Sequence, residues 1–169
     1  MALLDILVYP HPRLRDIAYK VDTVTDEERE FIKNMAETMY AASGIGLAAI
    51  QVGVSKRIIV IDISDNSDDL LVLINPEIVK HNGIQICEEG CLSLPEVYAE
   101  VTRAKEITYK YLNLDGKPVT QNADGLLAIC VQHEIDHLNG KVFVDYLSRM
   151  KRDRIRKKLL KINKQETAA

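Results

Sequence analysis

Apolar residues recur at helical spacing near both ends of the chain, and the region between them is built of short apolar runs. The first helical pattern begins at Thr25-Asp26-Glu27-Glu28, which is a capping box. The apolar stripe that follows it consists of Ile32, Met35, Ala36, Met39 and Tyr40. We expect a helix that packs this stripe into the core, because such stripes more often build a core than a site.

The middle of the chain alternates apolar runs with polar turns, which is the pattern of strands. The runs predicted as strands are residues 57–63, 70–75, 78–87, 99–103, 106–112 and 118–122. A polar turn at 64–69 separates the first two, and Asn113-Leu114-Asp115-Gly116 is a hairpin signal before the last.

Helical periodicity returns in the apolar run Leu126-Leu127-Ala128-Ile129-Cys130-Val131. Asp124 is an N-cap residue type before this run, and Gly140 is a helix stop after it. The order of helix, many strands and then helices predicts an α+β fold. We expect mainly antiparallel sheets packed around this central helix, with an N-terminal helix and a C-terminal helix. The length predicts one domain over 1–169.

Charge is distributed unevenly along the chain. The formal net charge is only −3, but residues 149–164 hold nine Lys or Arg and one acid, Asp153. Ser148 can cap a helix here. Its apolar face is partly lined by Met150, Ile155, Leu159 and Ile162. We expect a basic helix over 148–165, docked on the body with its charges in solvent. The sharper hypothesis is that it binds an anionic partner.

Other features of the sequence disfavour several locations and partners. No apolar run approaches the length of a membrane span. Met1-Ala2-Leu3-Leu4 is followed at once by Asp5, so we expect no secretory signal. Three cysteines, an odd number, favour a reducing compartment over a disulfide framework. We therefore expect a cytoplasmic protein that binds neither membranes nor DNA.

The chemistry is concentrated in Gln132-His133-Glu134-Ile135-Asp136-His137, which contains the pattern H-E-x-x-H. Residues four apart on a helix lie one above the other, so His133 and His137 can direct nitrogens at one metal ion. Glu134 lies beside that face, where it can take a proton from a metal-bound water. The residues on the same helix face are Leu126, Ile129 and Cys130. Such an apolar wall suits an apolar substrate side chain. Taken alone, the two histidines also fit a chance pair on a solvated face or in a core.

A catalytic metal usually has three protein ligands and one open position. The longer pattern with a third histidine fails, because Phe143 stands at that position. The acids that follow as weaker candidates are Asp145, Asp153 and Glu166. Cys91, within Glu88-Glu89-Gly90-Cys91-Leu92-Ser93-Leu94-Pro95, is the better candidate, because a thiolate is a strong ligand for zinc or ferrous iron. A buried structural thiol is the alternative explanation of Cys91.

Gly44-Ile45-Gly46-Leu47-Ala48-Ala49-Ile50-Gln51 is the third unusual segment. Taken alone, it is better explained as a helix stopped by glycine and followed by a tight turn. Taken together and in this order, the three segments resemble peptide deformylase. That family carries G-x-G-x-A-A-x-Q, E-G-C-x-S and Q-H-E-x-D-H, which residues 44–51, 89–93 and 132–137 match.

The resemblance implies a metal-dependent hydrolase that removes the N-formyl group from the formylmethionyl end of nascent chains and releases formate. The implied metal ligands are Cys91, His133 and His137. A metal-bound water would attack, with Glu134 as general base and then acid. The Gln51 side chain and the Leu92 backbone N–H would stabilise the oxyanion. The implied metal is one Fe²⁺ per chain, which Ni²⁺, Co²⁺ or Zn²⁺ replaces. The basic helix would then face ribosomal RNA near the peptide exit.

The resemblance also implies where the substrate binds. The substrate-binding residues expected from it are Ile45, Gly46, Gly90, Leu126, Ile129 and Cys130. Cys87, Ser43 and Tyr98 depart from residues common in the family near this site, which leaves the side-chain preference open. Cys87 stands four residues before Cys91, and we disfavour a disulfide or a second ligand there.

Two functions from other classes remain open. A metalloprotease that cuts internal peptide bonds would share the H-E-x-x-H pattern but would need another third ligand and an extended cleft. A metal-stabilised binding module that uses the basic helix would have a closed site with four ligands, and its activity would not depend on Glu134.

Overall fold

The structure is a computed structural model that describes residues 2–168, with side chains described for 2–162. The helices are α1 (Asp26–Ala41), α2 (Gly125–Leu138) and α3 (Arg149–Ala168). The strands are β1 (Gly46–Ala48), β2 (Ile58–Ile61), β3 (Leu71–Asn82), β4 (Gln85–Cys91), β5 (Leu94–Arg103), β6 (Glu106–Leu112) and β7 (Pro118–Asp124). This is the α+β fold with antiparallel sheets that the order of elements predicts, and the central, N-terminal and C-terminal helices are confirmed.

The strands form a five-stranded antiparallel sheet in the order β1-β2-β3-β6-β7 and a two-stranded ribbon of β4 and β5. β3 is long enough to pair with β2 through its first residues and with β6 through the rest. Side chains alternate across a strand, so the wholly buried β2 serves both faces of the sheet. Ile59 packs in the core cluster that contains α2, and Ile58 packs in the cluster that contains α1.

α2 runs through the larger core cluster, and both of its ends fall where the sequence predicts them. Asp124 occupies the N-cap position, although its side chain makes no capping hydrogen bond. Gly140 ends the helix as expected, because its backbone adopts a φ of +75°, which favours glycine. A Cβ at Gly140 would lie 2.5 Å from the carbonyl oxygen of Arg15, so the chain passes too close for any side chain.

The predicted strand boundaries differ from the structure at three places. The segment predicted as one strand over 78–87 is interrupted at Gly83, whose φ is +70°, so β3 ends at Asn82 and β4 begins at Gln85. β1 lies in the 44–51 segment, where the pattern alone favoured a tight turn, because pairing with β2 extends these residues. β5 begins at Leu94, five residues before the predicted strand.

α3 docks on the body as an amphipathic helix, as its pattern predicts. Ser148 Oγ accepts a hydrogen bond from the Lys151 backbone N–H at 3.3 Å. Leu159 is fully buried, and Ile155 and Ile162 pack partly buried against the main core cluster. Met150 was expected on this face but is 72% exposed, since it lies in the first turn beyond the contact. Among residues 2–168, no helix combines the length and apolar character needed to cross a membrane.

Candidate active site

The end of β4 and the middle of α2 bring three donor side chains together. His133 and His137 lie one turn apart on α2, and Cys91 is the last residue of β4. One donor atom from each of these residues lies within 4.8 Å of the other two. Cys91 Sγ is 3.3 Å from His137 Nε2. The three residues expected to be metal ligands are therefore neighbours in the fold.

This group of donors fits a divalent metal ion. Two imidazoles and a thiolate form a ligand set that zinc and ferrous iron accept. Burial lowers the pKa of His137 well below its ordinary value, which favours the neutral form that coordinates metals. Glu134 Oε2, beside these donors, is buried with no hydrogen-bond partner among the described residues, which leaves it free to contact a bound water.

The weaker candidates for a third ligand lie elsewhere. Asp145 forms an ion pair with Arg15 at 2.6 Å. Asp153 is exposed on α3. The side chain of Glu166 lies outside the described residues, as does any contact that it makes. Cys91 is therefore the one of these candidates that the described structure brings to the two histidines.

Glu134 lies beside the donors in a buried position. Its Oε1 is 3.7 Å from His133 Nε2. Burial raises the pKa of Glu134 to about 7, although the positive charges of His133 and Arg103 oppose the shift. A Cβ at Gly46 would lie 3.2 Å from the carboxyl carbon of Glu134, so glycine lets β1 approach this carboxyl group closely. The arrangement gives a carboxyl group that can both accept and donate a proton near neutral pH.

Gln51 is fixed by a short helical turn, Ala49–Val52, that follows β1. Its side-chain oxygen accepts from the Ala48 backbone N–H at 2.9 Å. Its Nε2 donates to Ser93 Oγ at 3.0 Å and to Cys91 Sγ at 3.5 Å. The bond to Cys91 directs one amide hydrogen of Gln51 at the donor group. Leu92 lies in the turn between β4 and β5, so its backbone N–H follows Cys91 directly.

A cavity of about 250 Å³ opens beside the donors. The expected substrate-binding residues that line it are Ile45, Gly46, Gly90, Leu126, Ile129 and Cys130. Ile129 and Cys130 are buried, whereas Ile45 and Leu126 are 42% and 47% exposed. The cavity therefore has an apolar floor and an open apolar rim. Burial raises the pKa of Cys130 to about 12, so this thiol stays protonated.

Of the residues that depart from the family pattern, Cys87 lines this cavity and Tyr98 lies against Gly90, which lines it. Cys87, Cys91 and Cys130 are all free thiols. The disulfide between Cys87 and Cys91 that we disfavoured does not form in the described structure. Tyr98 covers Gly90 from the outside, since a Cβ at Gly90 would lie 2.7 Å from the Tyr98 ring. Glycine at this position lets the ring lie against the backbone.

A buried ion network behind the donors was missed by the sequence reasoning. Glu89 Oε1 lies 2.9 Å from His133 Nδ1, and Arg103 donates to both oxygens of Glu89 at 2.8 Å. Arg103 also donates to Asp136 at 2.6 Å. Burial alone would raise the pKa of Glu89, but its bonds to Arg103 and His133 lower it to about 2. Burial opposes protonation of His133, but its bonds to Cys91 and Glu89 raise its pKa.

Strand alternation is the signal that could have located this network. Arg103 is in phase with the buried Val97 and Val101 of β5, although a charged residue is rarely placed on an apolar face. Glu89 is in phase with Cys91 in β4. A charge on a buried face needs a partner of opposite sign. The alternation therefore predicts that Glu89 and Arg103 are buried, although it does not predict that they contact each other.

Comparison with known proteins agrees with this fold and site. A sequence model of the family described as polypeptide deformylase matches residues 3–153. Peptide deformylase 2 of Nitrosomonas europaea is 55% identical over 168 residues, which cover 99% of this chain and 91% of that protein. A peptide deformylase of Alkalilimnicola ehrlichii is 55% identical over 98% of this chain and 93% of its own. The crystal structure of a peptide deformylase from Legionella pneumophila superposes with a TM-score of 0.94 at 48% identity, covering 99% of each chain.

An H-E-x-x-H helix with a cysteine as third donor, set beside an apolar cavity, fits a hydrolase with a group that could hold a metal. The relatives specify which one. The chain belongs to the polypeptide deformylase family and is an enzyme, a deformylase.

Proposed function

We propose that this deformylase removes the N-formyl group from the N-terminal formylmethionine of newly synthesised proteins and releases formate. One divalent metal would be held by Cys91, His133 and His137. The observation that carries the proposal is the convergence of these donors beside Glu134, whose buried Oε2 has no partner among the described residues. The apolar cavity next to them suits the methionine side chain.

The proposed metal is Fe²⁺, which Ni²⁺, Co²⁺ or Zn²⁺ can replace. When bound, it supplies polarisation of the formyl carbonyl and lowers the pKa of a water to about 7. The thiol of Cys91 favours the softer metals of this group over Mg²⁺ or Ca²⁺. Ferrous iron beside a thiolate is oxidisable, so we expect the enzyme to lose activity in air.

Each remaining step is assigned to a residue of the chain. Glu134 takes a proton from the attacking water and delivers it to the nitrogen of the leaving amine, as its pKa of about 7 permits. Gln51 Nε2 and the Leu92 backbone N–H donate to the oxyanion, and loss of one such donor costs about 100- to 1,000-fold in rate. Gly46 and Gly90 border the cavity on β1 and β4, where their backbone groups can pair with an extended substrate.

The experiment that tests the proposal is formate release from formyl-Met-Ala-Ser by anaerobic, Fe²⁺-loaded protein. We expect Glu134→Ala to lose about 100- to 10,000-fold in kcat, since it removes a general acid and base. The metal content, measured by mass spectrometry, should stay at one per chain because Glu134 is not a proposed ligand. Glu30→Ala, an exposed glutamate of α1, is the matched control and should keep full activity. No formate from folded, metal-loaded wild type would contradict the proposal.

The same preparations separate the other two functions. A metalloprotease would cut unblocked peptides at internal bonds, and its metal would not depend on Cys91. We expect no internal cleavage, and we expect Cys91→Ser to weaken metal binding strongly. A binding module would keep its activity in Glu134→Ala.

We also propose that the enzyme is cytoplasmic and that α3 binds ribosomal RNA. Support for the second part comes from its exposed cations, which include Arg154, Arg156 and Lys157, and from its docking through Leu159, which leaves these cations in solvent. Phosphate contacts make binding fall steeply with salt. Sedimentation with ribosomes at 50 and 200 mM salt tests this. If the protein does not sediment with ribosomes at 50 mM salt, the proposed binding to RNA is wrong.

A further inference from the structure

A continuous line of hydrogen bonds joins the proposed metal ligand His133 to the protein surface. It begins at His133 Nδ1, which lies 2.9 Å from Glu89 Oε1. Arg103 connects Glu89 to Asp136 with bonds of 2.6 to 2.8 Å. The line ends at Tyr146, whose hydroxyl donates to Asp136 Oδ2 at 2.7 Å. Four elements contribute: β4, β5, α2 and the short helical turn Phe143–Tyr146.

The inner part of this line fixes which nitrogen of His133 faces the donors. Both oxygens of Glu89 accept hydrogen bonds from Arg103, so the carboxylate is also the acceptor toward His133, and His133 Nδ1 carries the proton. The other ring nitrogen, Nε2, is then free to bind a metal. Partners of this kind orient a metal-binding histidine and raise its basicity.

The outer part of the line holds Arg103 in place between two carboxylates. Asp136 Oδ2 accepts from both Arg103 Nη1 and the Tyr146 hydroxyl, so one oxygen is fixed by two donors. The Tyr146 ring also lies under the Arg103 guanidinium, 5.0 Å from its central carbon. Arg103 is only 6% exposed, whereas Tyr146 is 50% exposed. Tyr146 is therefore the outer member, and it closes the line from the solvent side.

Loss of the Tyr146 hydroxyl would leave Asp136 with one fixed donor instead of two. Asp136 could then turn toward solvent, reached through a cavity of about 310 Å³ that it lines with Tyr146. Arg103 would then lose one of its two carboxylate partners in a buried position, so its guanidinium would be held less firmly. Its hold on Glu89, and through Glu89 on the His133 ring, would weaken.

We propose that Tyr146 is a positioning residue that fixes the direction of His133. It acts through Asp136, Arg103 and Glu89 and touches neither substrate nor donor group. The inference rests on the proposed metal site, and it adds a residue 13 positions beyond His133 that no motif of the sequence includes.

Metal affinity tests the inference without relying on turnover. The dissociation constant for Co²⁺ is measured by competition with a chelator, together with the visible absorption of the bound Co²⁺, for wild type, Tyr146→Phe and Tyr19→Phe. Loss of a partner next to a ligand costs about 10- to 100-fold in metal affinity, and Tyr146 is three contacts further out, so we expect about 3- to 10-fold. The Co²⁺ spectrum should shift as well. Tyr19 is 77% exposed, and its variant is the matched control that should equal wild type.

A double-mutant cycle tests whether Tyr146 acts through the line. In a Glu89→Gln background, Tyr146→Phe should change the Co²⁺ dissociation constant less than about twofold, because the link to His133 is already cut. If Glu89→Gln does not fold, Arg103→Lys serves as the background, since lysine cannot donate to both carboxylates in the same way.

Three outcomes overturn the inference. An unchanged Co²⁺ affinity and spectrum in Tyr146→Phe, with only a lowered Tm, would make Tyr146 a structural brace. An equal loss of affinity in both backgrounds would mean that it acts by another route. If wild type binds no Co²⁺, the proposed metal site itself is wrong, and the inference falls with it. If wild type binds Co²⁺ and Tyr146→Phe binds it equally well, only the inference fails.

Discussion

The two helices that follow the strands carry their charged residues in opposite ways. On α2, His133, Glu134 and His137 are buried, and Asp136 is bonded to Arg103 and Tyr146. On α3, eight of the nine cations between 149 and 164 lie in residues whose burial is described, and most of these are exposed. A buried charge is unfavourable unless it is paired, whereas a solvated charge needs no partner. Changes of equal chemistry should therefore have unequal effects on the two helices.

The largest difference is expected when a cation is removed beside each helix. Arg103→Leu leaves the carboxylates of Glu89 and Asp136 without their shared partner in a buried site. Breaking a buried pair in this way costs about 3–5 kcal/mol. Arg156→Leu on α3 removes a solvated charge and should change the free energy of unfolding by less than about 0.5 kcal/mol. Urea denaturation of both variants measures this. Similar losses for the two would break the comparison.

Acid should reveal the same buried charge. The pKa of Glu89 lies at about 2 in the folded protein, below its ordinary value of 4.5. A carboxyl group whose folded pKa is lowered stabilises the fold fully above its unfolded pKa and loses that contribution as the pH falls through the folded pKa. The loss should therefore occur between about pH 4.5 and 2 and amount to roughly 3 kcal/mol.

The control for this pH dependence is Glu89→Gln. Both proteins retain His133 and His137, so the difference between their unfolding free energies isolates Glu89. Wild type should lose its advantage over Glu89→Gln on acidification. Parallel curves from pH 6 to 3 would show that Glu89 does not carry the acid sensitivity.

Leu159 of α3 is buried, as the site residues of α2 are, so its substitution should affect stability strongly. Leu159 is fully buried, whereas the adjacent Leu160 is 47% exposed. Leu159→Ala should cost about 2–3 kcal/mol, the lower part of the range for buried leucines, because a terminal helix can settle into the space. Leu160→Ala should cost less than about 1 kcal/mol. Thermal unfolding of the pair decides whether α3 is held by this contact, and equal values would contradict it.

The contrast also explains how much could be predicted from the sequence. The helices and most strands follow from periodicity, because that feature is local. The neighbourhood of Cys91, His133 and His137 is not local, and it was expected only because three motifs together resemble those of a known family. β1 was missed, since three residues become a strand only by pairing with β2. The break at Gly83 was missed because apolar residues continue on both sides of it.

The ion network shows the limit of the sequence most clearly. Glu89, Arg103 and Asp136 lie on three different elements, and their meeting depends on how β4, β5 and α2 pack. Alternation places Glu89 and Arg103 on buried faces, but no spacing along the chain pairs them. The motifs mark Glu89 and Asp136 as members without giving them a role, and the outer member, Tyr146, lies in no motif.

The smallest effect on the enzyme itself is expected from reversing charge on α3. The double variant Arg154→Glu, Lys157→Glu changes the formal charge by four units on residues that are exposed, and neither has a bonded partner among the contacts of residues 2–162. The unfolding free energy should stay within about 0.5 kcal/mol of wild type. Formate release from formyl-Met-Ala-Ser should stay within about twofold, because the screening length of about 8 Å at physiological salt weakens the action of these charges on the site.

Co-sedimentation of this double variant with ribosomes at low salt should fall sharply, since binding to RNA phosphates depends on these cations. Tripeptide turnover that falls along with ribosome binding would mean that α3 and α2 are coupled, and the contrast between solvated and buried charge would no longer separate their roles.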